Sequence, residues 1–152
     1  MKATAKTPTR RDRRQPPRRI LIVNGTKVWC DALSSRISRY PGLQVCGEAL
    51  GEQAGLAMVG RLRPSLLLTE IVRAQDLGFI REVHRQHRRL PILVLSFRDE
   101  EAYAPLALQA GARGYLMKGV DGDTLVKGIR KALNGQMVLS PFMRRRLGRH
   151  GH

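Results

Sequence analysis

Five short apolar runs, each halted abruptly by a polar residue or glycine, constrain the fold of this chain more than any other feature. Ile20-Leu21-Ile22-Val23 stops at Asn24-Gly25, and Leu43 to Gly47 follows. Ser65-Leu66-Leu67-Leu68-Thr69 stops at Glu70, Ile92-Leu93-Val94-Leu95 stops at Ser96, and Gly114-Tyr115-Leu116-Met117 stops at Lys118. Runs this short, without the alternation of a half-exposed strand, read as strands buried on both faces.

The intervening segments carry helical spacing. Val28, Ala32, Leu33, Ile37 and Tyr40 recur at that spacing, with Thr26 as an N-cap, Pro41-Gly42 as the stop and Trp29 on the flank. Residues 52–63 with Leu56, Val59 and Leu62, and residues 78–87 with Phe79, Ile80 and Val83, form two more. A fourth, capped by Asp99 and stopped by Gly111, contains Pro105 and is expected to be kinked, frayed or late in starting. Leu125, Val126, Ile129, Ala132 and Leu133 mark the fifth, which Asn134-Gly135 ends.

Strands alternating with amphipathic helices, and no hairpin turn between successive strands, predict an α/β fold. Its sheet is parallel, covered on both faces and doubly wound, with strand order 2-1-3-4-5 in the flavodoxin-like manner. Such sheets place their chemistry at the carboxyl edge. Asn24, Gly25, Glu70, Ser96 and Lys118 are the residues that the strand ends bring there.

The chain carries a formal net charge of +16 over 152 residues, and eleven of those charges fall in residues 1–19 and 141–152. Residues 1–19, rich in Arg and Pro and poor in large apolar side chains, are expected to be a disordered basic arm. Residues 141–152 are expected to be a basic tail, and residues 20–140 the folded domain. The arginines concerned are Arg10, Arg11, Arg13, Arg14, Arg18 and Arg19, then Arg144, Arg145, Arg146 and Arg149. They suit nonspecific contact with nucleic-acid phosphates or an acidic protein surface, and equally a solvated tail. No aromatics are interleaved to stack single-stranded bases.

Cys30 and Cys46 lack metal-site spacing and are expected to be free thiols, and His84 and His87 to be a surface pair. No run is long enough to span a membrane or to serve as a signal-peptide core, so a soluble, cytoplasmic protein is expected.

The stretches Arg19-Ile20-Leu21-Ile22-Val23, Val45-Cys46-Gly47-Glu48-Ala49, Arg63-Pro64-Ser65-Leu66-Leu67-Leu68, Pro91 through Ser96, and above all Ala110-Gly111-Ala112-Arg113-Gly114-Tyr115-Leu116-Met117-Lys118 resemble response-regulator receiver domains of the NarL/FixJ type. The resemblance covers residues 19–141. It implies a site in which two acids after the first strand hold Mg²⁺, an Asp after the third accepts a phosphoryl group, and a Ser/Thr and a Lys bind its oxygens. Ser96 and Lys118 match that pattern. Asn24 and Gly25 stand where the acidic pair is expected, and Glu70 where the acceptor Asp is expected.

The loss of two carboxylates leaves too few ligands for Mg²⁺, and the extra methylene of Glu70 displaces its oxygens from the attacking position. No cofactor and no catalytic residue are therefore expected, and the chain is not expected to be an enzyme. Glu70 is free to reach Lys118 and Ser96. It then either holds the domain near the family's active state or forms a plain structural ion pair. Tyr115 matches the aromatic whose rotamer reports the state of the Ser96 loop.

The resemblance thus implies a divergent pseudo-receiver that acts through a protein partner in signal transduction or transcriptional regulation, with a homodimer as one form. The alternatives are a nucleic-acid-associated regulator using its basic arms and a phosphoacceptor with unusual metal use. The short segment after Pro141 holds no three-helix DNA reader, so sequence-specific DNA binding by this chain alone is not expected.

Overall fold

Alternate residues along the strands enter two separate cores, which is why the runs are so apolar; the second strand, at the edge of the sheet, keeps Gln44 exposed. The structure, a computed structural model, describes residues 15–149. Its strands are β1 Arg18–Val23, β2 Leu43–Ala49, β3 Leu66–Thr69, β4 Ile92–Ser96 and β5 Gly114–Met117. Its helices are α1 Lys27–Ile37, α2 Glu52–Leu62, α3 Asp76–Gln86, α4 Glu100–Ala110, α5 Gly122–Leu133 and α6 Pro141–Arg149.

All the strand pairs are parallel, in the order β2-β1-β3-β4-β5. This is the doubly wound sheet that the strand-helix alternation predicts. Leu21, Val23, Leu67, Val94 and Tyr115 face a core shared with Val59 of α2, Ile80 and Val83 of α3 and Ala104 and Ala107 of α4. Ile20, Ile22, Leu66, Leu68, Leu93 and Leu116 face the other, closed by Cys30 and Ile37 of α1 and Ile129 of α5. Each fully buried side chain of this size contributes about 1.5–3 kcal/mol relative to exposure.

The helix starts are set locally. The Thr26 hydroxyl accepts from the Trp29 N–H, Asp99 from Glu101 N–H and Asp121 from Thr124 N–H, each meeting an N–H that the first turn leaves free. Gly111, at φ 117°, ends α4 in the left-handed conformation. Gly114 lets a neighbouring chain segment lie flat on β5, for a Cβ there would meet the Val138 carbonyl oxygen at 2.4 Å.

Four expectations are corrected. Arg18 and Arg19 belong to β1 rather than to a disordered arm. Arg18 N–H donates to the Gly42 carbonyl, and the Arg19 guanidinium holds the Leu62 carbonyl at 2.6 Å. Residues 1–14, with Arg10, Arg11, Arg13 and Arg14, lie outside the described residues.

The tail is not a tail as far as residue 149. Pro141 occupies the first position of α6, the Ser140 hydroxyl accepts the Met143 N–H at 3.1 Å, and Met143, 1% exposed, enters the core beside Leu139. Met143, with Leu147 half-buried against the same core, supplies the apolar contact that the arginine-rich composition concealed. Arg146 pairs with Glu101 at 3.0 Å, Arg144 donates to the Leu139 carbonyl, and Arg145 is exposed.

Pro105 does not delay α4, which runs unbroken from Glu100 to Ala110. The carbonyl it leaves without a partner is that of Glu101, an exposed residue in the first turn where water can satisfy it. Finally, α3 starts at Asp76, two residues before the predicted start, because the Asp76 carboxylate accepts both Val72 N–H at 2.8 Å and Arg73 N–H at 3.0 Å.

Candidate functional site

The parallel register brings five strand ends to one edge, where a cleft of about 400 Å³ opens between the ends of β1 and β3 and the loops after β2 and β3. Val23 pairs with Thr69, so Asn24 and Glu70 emerge side by side, while Ser96 pairs with Met117 and sets Lys118 beside them. The sheet thus assembles all five residues expected at its carboxyl edge.

Glu70 and Lys118 are in direct contact, with Oε2 to Nζ at 2.7 Å. The Lys118 side chain is 1% exposed and that of Glu70 12% exposed. A lysine taken so far out of water needs its charge compensated on every side. A second compensation comes from Trp29, whose ring centroid lies 4.1 Å from Nζ, and a third from Phe97 at 5.0 Å. The two rings meet edge to face, 5.4 Å apart at 73°, and close over the ion pair.

That aromatic cover is the part of the site that sequence reasoning missed. Helical spacing puts Trp29 on the flank of α1 and gives Phe97 no role. A signal exists all the same: Trp29 lies in the first turn of α1 and Phe97 directly follows Ser96, so both stand at the carboxyl edge.

Ser96 does not join Glu70, which corrects an expectation. Its buried hydroxyl donates to the Ile71 carbonyl and accepts from Arg98 N–H at 3.0 Å. The hydroxyl thereby ties the β3–α3 loop to the β4–α4 loop. Tyr115 is turned inward, 1% exposed, and its hydroxyl donates to the Arg98 carbonyl at 2.7 Å. Burial raises the Tyr115 phenol above its ordinary pKa, so it remains a donor.

Asn24 is buried with its Oδ1 turned to Thr26 N–H at 3.1 Å, which starts the turn into α1. Gly25 is exposed, and nothing lies within 4 Å of where a Cβ would stand. The other acids of the cleft are occupied. Asp76 holds two backbone N–H groups and lies 3.7 Å from Arg73. Burial alone would raise its pKa, but the donors around it hold it below the ordinary carboxylate range. Glu52 is raised by burial and by the bond it shares with Asp76.

The donor set does not fit Mg²⁺. Among the described residues no cluster of three or more His, Cys, Asp or Glu side chains could hold a metal ion. Asn24 offers a neutral side-chain oxygen already in use, Gly25 offers no side-chain oxygen, and the Glu70 carboxylate is bound to an ammonium. An octahedral oxygen shell needs free carboxylates at this point.

Residues 20–130 match the family model of the response regulator receiver domain. The chain belongs to that family. It is 30% identical over 131 residues to the nitrate/nitrite response regulator protein NarL of Escherichia coli K12, covering 83% of this chain and 59% of NarL. It is 28% identical over 132 residues to the response regulator GacA of Pseudomonas protegens, covering 85% and 62%. The receiver chain thus spans about three fifths of the length of these curated relatives.

Among solved structures, a two-component response regulator of the LuxR family from Aurantimonas sp. superposes with a TM-score of 0.80. At 23% identity, over 88% of this chain and 97% of that one, it supports the fold. Among the described residues no helix is long and apolar enough to cross a membrane.

Proposed function

We propose that this receiver domain signals without phosphoryl transfer, as a pseudo-receiver that engages a protein partner in signal transduction or transcriptional regulation. One observation carries the reading. The lysine that would meet an incoming phosphoryl oxygen is already neutralised by Glu70 at 2.7 Å and roofed by Trp29. An anion in the acceptor position is therefore permanent, and no divalent cation is required to bring a second one there.

Tyr115 supports the same reading from the output side. Its inward position and its bond to the Arg98 carbonyl fix the β4–α4 loop in one state. Glu70 acts through Lys118 and the aromatic cover rather than through Ser96, whose hydroxyl serves the Ile71 carbonyl.

The test is incubation of the intact chain with acetyl phosphate and Mg²⁺, followed by mass spectrometry. No added phosphoryl group is expected. An acyl phosphate on Glu70 overturns the proposal and favours a phosphoacceptor with unusual metal use. The restored triple variant Asn24→Asp, Gly25→Asp and Glu70→Asp is expected to gain Mg²⁺ binding that the natural chain lacks. The open space around Gly25 admits the added side chain.

A further inference from the structure

We propose that the amino edge of the sheet, opposite the Glu70–Lys118 cleft, is a binding surface for the phosphate backbone of duplex nucleic acid. The fold sorts its charges between the two edges. Glu48, Glu52, Glu70, Asp76, Asp99, Glu100, Glu101, Asp121 and Asp123 all lie at strand ends or helix starts, at the carboxyl edge, and Asp31 is tied to Lys27 near the start of α1. The remaining carboxylate of the described residues, Glu82, is engaged by Arg85 and Gln86 within α3.

The amino edge is correspondingly cationic. A cleft of about 570 Å³ there is lined by Arg63, Arg88, Arg89 and His87, over a floor that includes Val59 and Pro91. A second, of about 190 Å³, lies between Arg18 and Arg130. Among the described residues no carboxylate lies within 4.0 Å of any of these arginines.

Complementing helix dipoles accounts for part of this charge, since Arg61 and Arg130 sit in the last turns of α2 and α5. It does not account for Arg88 and Arg89, which form the turn after α3, nor for Arg18. Arg63 adds an independent sign. It is the sole non-glycine with positive φ among the described residues, at 48°, in the left-handed position after α2 that glycine fills without cost. Strain of this kind persists where the side chain is put to use.

The chemistry favours phosphate over an acidic protein. The Lys, Arg, Asp and Glu side chains that line the two clefts are all arginines, whose planar fork matches phosphate oxygens. Protein interfaces need buried apolar anchors. Of the large exposed apolar side chains Val28, Leu50, Val72, Phe97, Leu106, Met137 and Phe142, none lines either cleft. No Phe, Tyr or Trp lines either cleft, so a platform for stacking the bases of a single strand is not provided. Duplex backbone, read without sequence preference, is the polyanion that remains.

The experiment is fluorescence anisotropy of a labelled mixed-sequence duplex of about 20 base pairs, titrated with the intact chain between about 50 and 200 mM salt. An edge variant combines Arg61→Gln, Arg63→Gly, Arg88→Gln and Arg89→Gln. An arm variant carries Arg10→Gln, Arg11→Gln, Arg13→Gln and Arg14→Gln. The edge variant is expected to bind at least tenfold more weakly, with a log–log salt slope shallower by about 0.9 for each phosphate that it no longer neutralises.

Binding by the edge variant within twofold of the natural chain overturns the proposal, whatever the arm variant does. So does displacement of the duplex by polyglutamate at equal charge concentration, which would assign the edge to acidic protein. Arg88→Gln with Arg89→Gln alone, both in an exposed turn, gives the same discrimination should the fourfold variant melt early.

Discussion

Glu70 and Lys118 form a 2.7 Å ion pair that is sealed from solvent on the lysine side, with 1% of the Lys118 side chain exposed. The energetics of such a pair are asymmetric: removing one partner strands a buried charge, whereas replacing both with apolar groups need not. Glu70→Gln is therefore expected to lower stability by about 3 kcal/mol, the low end for a broken buried pair, because Trp29 still faces the ammonium. The double variant Glu70→Leu with Lys118→Met is expected to fall within about 1 kcal/mol of the natural chain or above it. Urea midpoints of the three proteins decide this, and a double variant as unstable as the single one would show that the pair does more than balance charge.

Trp29 is the chain's one tryptophan, so its fluorescence reports directly on the aromatic cover of Lys118. Trp29→Ala removes the contact with Lys118 and the edge-to-face contact with Phe97, and is expected to cost about 1–3 kcal/mol in total. Lys118→Met is expected to shift the Trp29 emission and raise its quenching by iodide as the cover loosens. Unaltered quenching in Lys118→Met would mean that the ring is held in place by α1 alone.

The fold is readable because β3 and β4 are buried on both faces, so Leu66-Leu67-Leu68 and Ile92-Leu93-Val94-Leu95 declare themselves with no tertiary information. The strand-end positions of Asn24, Glu70, Ser96 and Lys118 follow from topology. Contacts between side chains distant in sequence lie out of reach. Nothing in the order of residues says that Ser96 prefers the Ile71 carbonyl to Glu70, or that Trp29 and Phe97 meet across the Lys118 ammonium. The start of α6 is different: Ser140-Pro141 is a helix-start signal, obscured by the arginines that follow.

Acid should reveal the tie that Asp76 makes to the loop before α3. Its carboxyl pKa is lowered on folding, so its contribution is full above the ordinary value of about 3.9 and is lost as pH falls through the lowered folded value. Glu52 has the opposite sign: its pKa is raised, so folding disfavours its ionised form, and stability rises slightly as it takes up a proton on acidification. Thermal melts from neutral pH downward are thus expected to show a shallow gain followed by a loss below about pH 4. In Asp76→Asn the late loss is expected to shrink, and the difference between the two proteins to close at the lowest pH. A difference that stays constant down to about pH 2 would show that Asp76 does not set the acid limb.

Pro105 lies at the sixth residue of a continuous α4, where it removes one helical hydrogen bond. A proline in a helix interior costs about 3 kcal/mol, offset by up to about 1 kcal/mol from the entropy it removes from the unfolded chain. Pro105→Ala is expected to raise stability by about 2 kcal/mol, read as a higher urea midpoint at constant slope. A lower midpoint would mean that the ring packs better than its partial burial indicates.

The attachment of α6 hangs chiefly on Met143, which is 1% exposed among Leu139 and the residues of α4. Its flanking arginines are exposed or paired at the surface, and an exposed pair such as Arg146–Glu101 adds at most about 1 kcal/mol. Truncation of a buried methionine costs about 2–5 kcal/mol. Because a nine-residue helix is too short to persist without packing, that loss should fall first on α6 itself. In Met143→Ala, amide hydrogens of residues 142–149 are expected to exchange at rates near those of an unstructured peptide, while the β3 and β4 amides stay protected. Arg146→Gln is expected to leave α6 protection nearly unchanged. The reverse ranking, with Arg146→Gln releasing the helix and Met143→Ala sparing it, would assign its docking to charge rather than to burial.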